Sequence, residues 1–457
     1  MKRKKLNLVL LITLLIQCVY EDSPAQWIPA GNLADLNLSH FISVVDSNVV
    51  WVAGGSNSPV IYKTVNGGAN WLTVPVTGLP FVLSGIAAKD ASTAYVCDFG
   101  GDPANGGNAK VFKTTNSGNN WILVDSTGGA NGFFNGVIFS KTNPQFGIAF
   151  SDPPSGPGNP YFILKTSNGG NNWIRESAPG IPENYGLFHT LYVIDPTFYG
   201  FQILNSMSFQ TSSYSTTNGG LNWVNGNQNL QYVEGGDLVY SDNKQTGIMT
   251  NYESSLDVRR TSNGGANWNQ INTGVNLSGF NGASWISGTN TVFICSNVNT
   301  SGNNNITRSD NGGLTWVSQS TDNTVGLVEI DYVRYNNVIV AYCVSSAGNV
   351  IKSRQTVQLV GISQTGSNIP DEIFLAQNYP NPFNPKTIIK YSMPISDFVS
   401  LKVFDVLGKE VSILVNEKQS AGSYEVEFDG SGLSSGIYYY RLSAEPYSQT
   451  RAMFLLK

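Results

Sequence analysis

Two aspartates stand where a pair of carboxylates could act on a sugar. Asp98 and Asp152 each follow a strand-like apolar run in neighbouring segments, and Asp102 lies close to the first of them. Two carboxyl groups across a pocket can serve as general acid and general base on a glycosidic bond. The alternative is that both carboxylates cap loop turns. We weigh that structural role above catalysis and keep catalysis as a hypothesis.

Aromatic residues near the same segments could contact a ligand. Phe133, Phe134, Tyr161 and Tyr185 could stack on sugar rings or on a peptide, or they could pack long loops onto the scaffold. His189 begins a nearby run, and a structural role is the better interpretation of it. The chain has 2 histidines, and no histidine-based metal cluster or triad is expected. No phosphate loop or dinucleotide fingerprint stands out, so we expect no metal and no cofactor.

A nine-residue segment that occurs six times predicts the elements that would position these residues. In its first copy, Lys63–Trp71, an Asn-Gly-Gly turn separates two strand-like runs. Glycine takes positive φ freely, and the asparagine side chain can bond to the backbone of the turn. The tryptophan is expected to begin the next strand and to bury its ring in the sheet. The asparagines and tryptophans of the six copies are Asn66, Trp71, Asn116, Trp121, Asn168, Trp173, Asn218, Trp223, Asn263, Trp268, Asn311 and Trp316.

The repeated pattern Ser/Thr-x-Asn-x-Gly-x-x-Trp resembles the Asp-box, or BNR, repeat, with asparagine in the aspartate place of every copy. A period of about 50 residues is itself typical of a propeller blade or a solenoid turn. The resemblance implies a β-propeller like those of sialidases, sortilin-like receptors and photosystem assembly factors, in which the box is structural. Sialidase activity is not expected, because the chain lacks an Arg-Ile-Pro triplet and a free trio of arginines.

Residues 26–354 divide into seven similar units, which predicts an all-β fold with seven blades of four antiparallel strands. Six or eight blades are the alternatives. The seventh unit, Leu327–Ser353, stops before its turn, while Trp27 stands alone at the other end. We therefore predict that the N-terminal strand completes the last blade and closes the ring. Loops on the face opposite the repeated turns are the expected binding face.

Composition supports this fold class and limits the partners. Charged residues make up 12% of the chain, which also contains 48 glycines. A net charge of -5 without a basic stripe argues against a nucleic-acid partner. Cys97, Cys295 and Cys343 fall at matching positions of three units. Each is predicted to be a small buried hydrophobe without a disulfide partner.

Residues 1–25 are predicted to be a signal peptide. Four basic residues precede the apolar run Leu6–Ile16, and Ser23-Pro24-Ala25 predicts cleavage before Gln26. The alternative is a lipoprotein signal that ends at Cys18, which Gln17 fits poorly. The apolar run is too short to span a bilayer, and no integral membrane span is expected in the mature chain.

A linker is predicted at residues 355–372, followed by a small Ig-like β-sandwich at 373–457. This tail resembles the type A C-terminal sorting domain of the type IX (Por) secretion system. Its Pro-rich motif comprises Asn378, Pro380, Asn381, Pro382, Phe383, Asn384 and Pro385. The resemblance implies a Gram-negative cell, the type IX secretion machinery as a partner, and a secreted or outer-membrane cell-surface location.

Together these observations favour an exported propeller that binds a polysaccharide or a protein. The first alternative is a glycoside hydrolase that uses Asp98 and Asp152. The second is an assembly or adhesion factor.

Overall fold

A computed structural model describes the chain from residue 27 to residue 457, and the predicted signal peptide lies outside it. The residues within that range that are not described are 35, 37–39, 56–57, 80–81, 101–106, 129–130, 154–160, 179–180, 182–184, 187–189, 206–209, 232–235, 251–257, 274–281, 297–304, 322–323, 325, 358–361, 367–372, 395–396, 420–421 and 445–446. Among the described residues, no helix is long and apolar enough to cross a membrane.

The described strands of the propeller form seven four-stranded antiparallel blades, as predicted. Each blade has strands A to D, named from the channel outward. They are His40–Val44, Val50–Gly54, Val60–Thr64 and Leu72–Thr73 in blade 1; Leu83–Ala88, Ala94–Asp98, Lys110–Thr114 and Ile122–Ser126 in blade 2; Phe134–Phe139, Gly147–Ser151, Tyr161–Thr166 and Ile174–Ala178 in blade 3; Tyr192–Asp195, Phe198–Asn205, Gln210–Thr216 and Val224–Gln231 in blade 4; Leu238–Tyr240, Gly247–Met249, Val258–Thr261 and Asn269–Ile271 in blade 5; Ala283–Trp285, Val292–Cys295, Ile306–Ser309 and Val317–Gln319 in blade 6; Leu327–Tyr335, Val338–Ser345, Asn349–Thr356 and Ile28–Asn32 in blade 7.

Two faces of the ring follow from this strand order. The A–B hairpins and the repeated C–D turns lie on one side, which we call the turn face. The B–C loops and the links between blades lie on the other side, which we call the loop face. Short extra strands occur on the loop face: Gly107–Asn108 pairs in parallel with Asn131–Gly132, and Tyr185–Gly186 pairs with strand B of blade 4.

The N-terminal strand closes the ring, which confirms the predicted closure. Ile28–Asn32 pairs with strand C of blade 7, with Pro29 opposite Ile351. Trp27 is fully buried, and its Nε1 donates to Gln319 Oε1 at 2.7 Å. The closed ring leaves no open sheet edge between its first and last blades.

The core of the ring lies between neighbouring blades. Strand B is buried along its whole length in blades 1, 2 and 3, because adjacent blades cover both of its faces. This explains why these strands read as continuous apolar runs rather than alternating ones. Cys97, Cys295 and Cys343 lie in such strands, buried and with free thiols.

The C-terminal part is a sandwich of two four-stranded sheets. One contains Ile362–Gly366, Gly422–Asp429, Lys386–Met393 and Phe374–Leu375; the other contains Glu410–Gln419, Asp397–Phe404, Gly436–Ala444 and Tyr447–Leu455. Burial alternates along the strands, so one face of each sheet builds the shared core.

The predicted linker, 355–372, needs correction at its start and in its middle. Strand C of blade 7 continues to Thr356, and Ile362–Gly366 pairs with Gly422–Asp429 as an edge strand of the sandwich. The segment Ile-Ser-Gln-Thr-Gly has a single apolar residue, so no alternating pattern marks it as a strand.

Candidate functional site

The repeated turn is held by two side chains. Thr64 Oγ1 accepts from Gly68 N at 2.9 Å and donates to Asn66 Oδ1, which also accepts from Asn70 N at 2.9 Å. The same bonds recur in the other five copies. Gly68 has a φ of 85°. The turn uses an acceptor oxygen and no charge, which explains how asparagine can replace aspartate.

In three of the six copies the tryptophan of the repeat donates a hydrogen bond to the preceding blade, whereas Trp316 Nε1 donates to Gly313 O of its own turn. Trp71 lies one residue before strand D and is half-buried, which corrects the prediction that it begins the strand and buries its ring there. Its Nε1 donates to Ala30 O of blade 7 at 2.7 Å, and Trp121 Nε1 donates to Pro75 O at 2.9 Å. Trp268 Nε1 likewise reaches back one blade.

The residue that precedes the Ser/Thr of the repeat reaches forward to the turn of the next blade. Its side chain donates to a glycine carbonyl oxygen there in four well-formed cases. These are Lys165 to Gly219 at 2.7 Å, Ser215 to Gly264 at 3.1 Å, Arg260 to Gly312 at 2.6 Å and Lys352 to Gly67 at 2.6 Å. These four side chains, of which three are basic, therefore connect neighbouring blades of the scaffold.

The A strands of all seven blades line a central channel with a cavity of about 500 Å³. Lys141 crosses the channel at the turn face. From the A–B hairpin of blade 3, its Nζ donates to Asp331 Oδ2 and Tyr332 O of blade 7, each at 3.0 Å, and to Val44 O of blade 1 at 3.3 Å. The side chain thus spans the channel from blade 3 to the boundary between blades 7 and 1.

Several acidic side chains line the channel. Burial, and secondarily the charge of Asp331, raises the pKa of Glu329 well above its ordinary value. Burial also raises the pKa of Asp242, against hydrogen bonds from Ser287 Oγ and Gly288 N. Asp237 Oδ2 accepts from Ala283 N of the next blade at 2.6 Å. A protonated carboxyl group can donate as well as accept a hydrogen bond.

Asp98 ends strand B of blade 2 and is fully buried. Its Oδ1 accepts from Gly100 N at 2.8 Å and Lys110 N at 3.0 Å, so the carboxylate holds the two ends of the loop together. Its Oδ2 is buried without a hydrogen-bond partner among the described residues. The pKa of Asp98 is raised above its ordinary value, because the effect of burial exceeds the lowering by these backbone bonds and by the charge of Lys110.

Asp152 lies one residue beyond the end of strand B in blade 3, beside the channel wall, and Ser151 holds the place that Asp98 has in blade 2. Its Oδ1 accepts from Asn135 Nδ2 at 2.6 Å, and its backbone N donates to Phe133 O at 2.9 Å. Asn135 lines the channel. The two aspartates therefore stand one position apart in the two blades, and each accepts hydrogen bonds within its own blade.

Two of the four aromatic candidates are core residues. Phe134 and Tyr161 are fully buried, and the Tyr161 ring stacks on Phe150 at a centroid distance of 5.3 Å. Neither ring offers a face to a ligand, which corrects the stacking hypothesis for both. Phe133 is half-buried. The side chain of Tyr185, together with Asp102 and His189, lies outside the described residues.

The Pro-rich motif is bonded into the sandwich. Asn378 Nδ2 donates to Thr387 Oγ1 at 3.0 Å, and Asn381 Oδ1 accepts from Phe454 N at 2.9 Å. Phe383 is buried in the core of the sandwich. Across the described residues, no group of three or more His, Cys, Asp or Glu side chains is placed to hold a metal ion.

Known proteins resemble different parts of the chain. Comparison with curated protein sequences gives no significant match. Among solved structures, YCF48 bound to a D1 peptide is 15% identical with a TM-score of 0.50, covering 73% of this chain and 97% of that one. PorZ, a surface component of the type IX secretion system of Porphyromonas gingivalis, is 12% identical with a TM-score of 0.44, covering 93% of this chain and 60% of that one.

An ulvan lyase of polysaccharide lyase family 25 is 10% identical with a TM-score of 0.44, covering 72% of this chain and 96% of that one. At such identities the likeness shows the fold alone. Residues 377–455 match the secretion system C-terminal sorting domain family. The chain is therefore an exported β-propeller protein, secreted or displayed on the cell surface of a Gram-negative bacterium, with a C-terminal sorting domain.

Proposed function

We propose that the propeller is a binding module that holds a polysaccharide or protein ligand on its loop face, at the mouth of the central channel. The observation that carries this proposal is the central cavity lined by the A strands. Lys141 bridges the turn-face end of this cavity of about 500 Å³, which supports an approach of the ligand from the loop face. A concave site beneath loops on a rigid scaffold is where ligands usually bind.

Polar side chains near this mouth suit a ligand rich in hydrogen-bonding groups. Ser84, Asn135 and Asp237 lie at the loop-face ends of three A strands and line the cavity. Asn135 is held by Asp152, which fixes the direction of its amide. Fixed polar groups among apolar walls are the usual means by which a pocket orients a sugar or a peptide.

Retention on a panel of polysaccharides and protein extracts, followed by calorimetry with the retained ligand, tests this function. We expect binding without turnover, weakened about fivefold or more by Asn135→Ala, which removes a hydrogen-bonding group at the mouth. Lys386→Ala, in the sandwich, is the control and should bind as the parent does. If Asn135→Ala leaves the affinity for every retained ligand unchanged, the channel mouth is not the site.

A glycoside hydrolase is the second candidate, and it is favoured by the direction of the pKa shift of Asp98, which burial raises, as the role of a general acid requires. The complete burial of that carboxyl group weighs against it. Release of sugar that disappears in Asp98→Asn or Asp152→Asn would establish the enzyme. With neither retention nor release for any polysaccharide, retained protein would point to an assembly or adhesion role.

A further inference from the structure

The chain leaves the propeller at a fixed point on the turn face. Strand C of blade 7 ends with Thr356 opposite Val338, at the A–B hairpin. The next residue, Val357, is buried, and its N donates to Asn337 O at 2.8 Å. The exit point is thus anchored by packing and by a backbone hydrogen bond.

A short covalent connection limits how far the sandwich can lie from this exit. Ile362 already pairs with Val426 in the sandwich, five residues after Val357. Five residues of extended chain span at most about 18 Å. That reach is well short of what moving the sandwich around the ring to the loop face would require.

One ion pair joins the two parts. Arg334 Nη2, on the A–B hairpin of blade 7, lies 3.0 Å from Glu417 Oε2, on the sandwich strand Glu410–Gln419. The side chains are only 17% and 21% exposed. Arg334 Nη1 also donates to Asn336 O at 2.7 Å, and a Cβ on Gly288 would come within 3.1 Å of Nη2. The guanidinium is therefore held in place before it meets the carboxylate.

We propose that the sorting domain docks on the turn face of its own propeller, at blade 7, through the Arg334–Glu417 pair. Propeller and sorting domain then travel as one body during export, and the loop face points away from the sorting domain. The ligand-binding face would be unobstructed while the sorting domain is still attached.

Distance measurements between two spin labels test this docking in the full mature chain. The native cysteines are buried, so Val65→Cys on the turn face and Leu407→Cys on the sandwich, which are 48% and 89% exposed, can be labelled selectively. We expect a single narrow distance distribution. Arg334→Glu and Glu417→Arg should each broaden it, and the double charge reversal should narrow it again. Each single variant is first checked for an unchanged circular dichroism spectrum.

Lys386→Glu is the matched control, because it breaks an ion pair to Glu427 inside the sandwich and should leave the distribution narrow. A broad distribution in the parent protein would overturn the proposal. So would single charge reversals that leave it narrow, or a double reversal that stays as broad as the singles. Since the two reversals lie in different domains, misfolding of one domain cannot produce the full pattern.

Discussion

Lys352 Nζ of blade 7 donates to Gly67 O of blade 1 at 2.6 Å, across the seam where the ring closes. The same contact joins blade 3 to blade 4 through Lys165 and Gly219. Trp71 also reaches back across the seam to Ala30 O. The seam thus has both kinds of contact, as the boundary between blades 4 and 5 does through Ser215 and Trp268, although its strands come from opposite ends of the propeller sequence.

Removing the buried indole at the seam should destabilise the whole ring. Trp27→Ala creates a cavity beside Phe293, whose ring lies 6.1 Å away, and we expect a loss of about 3–5 kcal/mol in the free energy of unfolding. Urea unfolding followed by circular dichroism measures it. Ile28→Ala is the neighbouring control: its side chain is 46% exposed, and about 0.5 kcal/mol or less is expected. Equal losses for the two variants would contradict a closed seam.

The repeated turn requires an acceptor oxygen rather than an amide. Asn66→Asp keeps the oxygen that accepts from Asn70 N and should change the free energy of unfolding by about 0.5 kcal/mol or less. Asn66→Ala removes it and should cost about 1–2 kcal/mol. Thermal unfolding of both variants at one pH compares them. An aspartate variant as unstable as the alanine variant would show that the amide itself is needed.

Sequence reasoning succeeded where the signal is local and repeated. Thr64, Asn66 and Gly68 lie within five residues of one another, so their hydrogen bonds follow from the turn alone. The ring closure was predictable because Trp27 lacked a unit of its own and the last unit lacked a tryptophan. Both arguments use what one blade must contain.

Contacts between distant blades could not be predicted in this way. Lys141 and Asp331 are 190 residues apart, and only the curvature of the ring brings them together. Tyr161 follows a loop, so the sequence around it is compatible with a ring that faces a ligand and with a ring in the core. The packing of blade 4 against blade 3 determines that the ring lies in the core. The edge strand at Ile362 was missed because its residues are mostly polar.

The buried carboxyl group of Glu329 in the channel should make the fold less stable as pH rises. Burial raises the pKa of Glu329 in the folded chain, so between its unfolded and folded pKa values the folded state holds a proton that the unfolded state has lost. The stability from this group is therefore full below the unfolded pKa, about 4.3, and declines above it. Urea unfolding from pH 5 to pH 8 measures the slope.

Glu329→Gln has no proton to lose and should show a weaker decline of stability with pH than the parent. Asp98 and Asp242 contribute in the same direction, so the informative quantity is the difference between the two proteins at each pH. That difference should grow in favour of the variant as pH rises. Parallel stability curves would mean that Glu329 titrates normally in the folded protein.

Lys141 should be coupled energetically to the seam it reaches. Its Nζ contacts Asp331 and two backbone oxygens, and the lysine side chain is 42% exposed while Asp331 is 16% exposed. Solvent screening limits an ion pair of this kind, so a double-mutant cycle with Lys141→Met and Asp331→Asn should give a coupling free energy of about 1 kcal/mol. The exposed pair Lys386–Glu427 is the matched comparison, with about 0.5 kcal/mol or less expected for Lys386→Met and Glu427→Gln.

Asp331 also accepts from Val44 N at 2.7 Å, so losing the lysine leaves this hydrogen bond to blade 1 in place. The turn-face end of the channel is then no longer bridged from blade 3. A coupling no larger than that of the exposed pair would mean that Lys141 does not link blade 3 energetically to the seam.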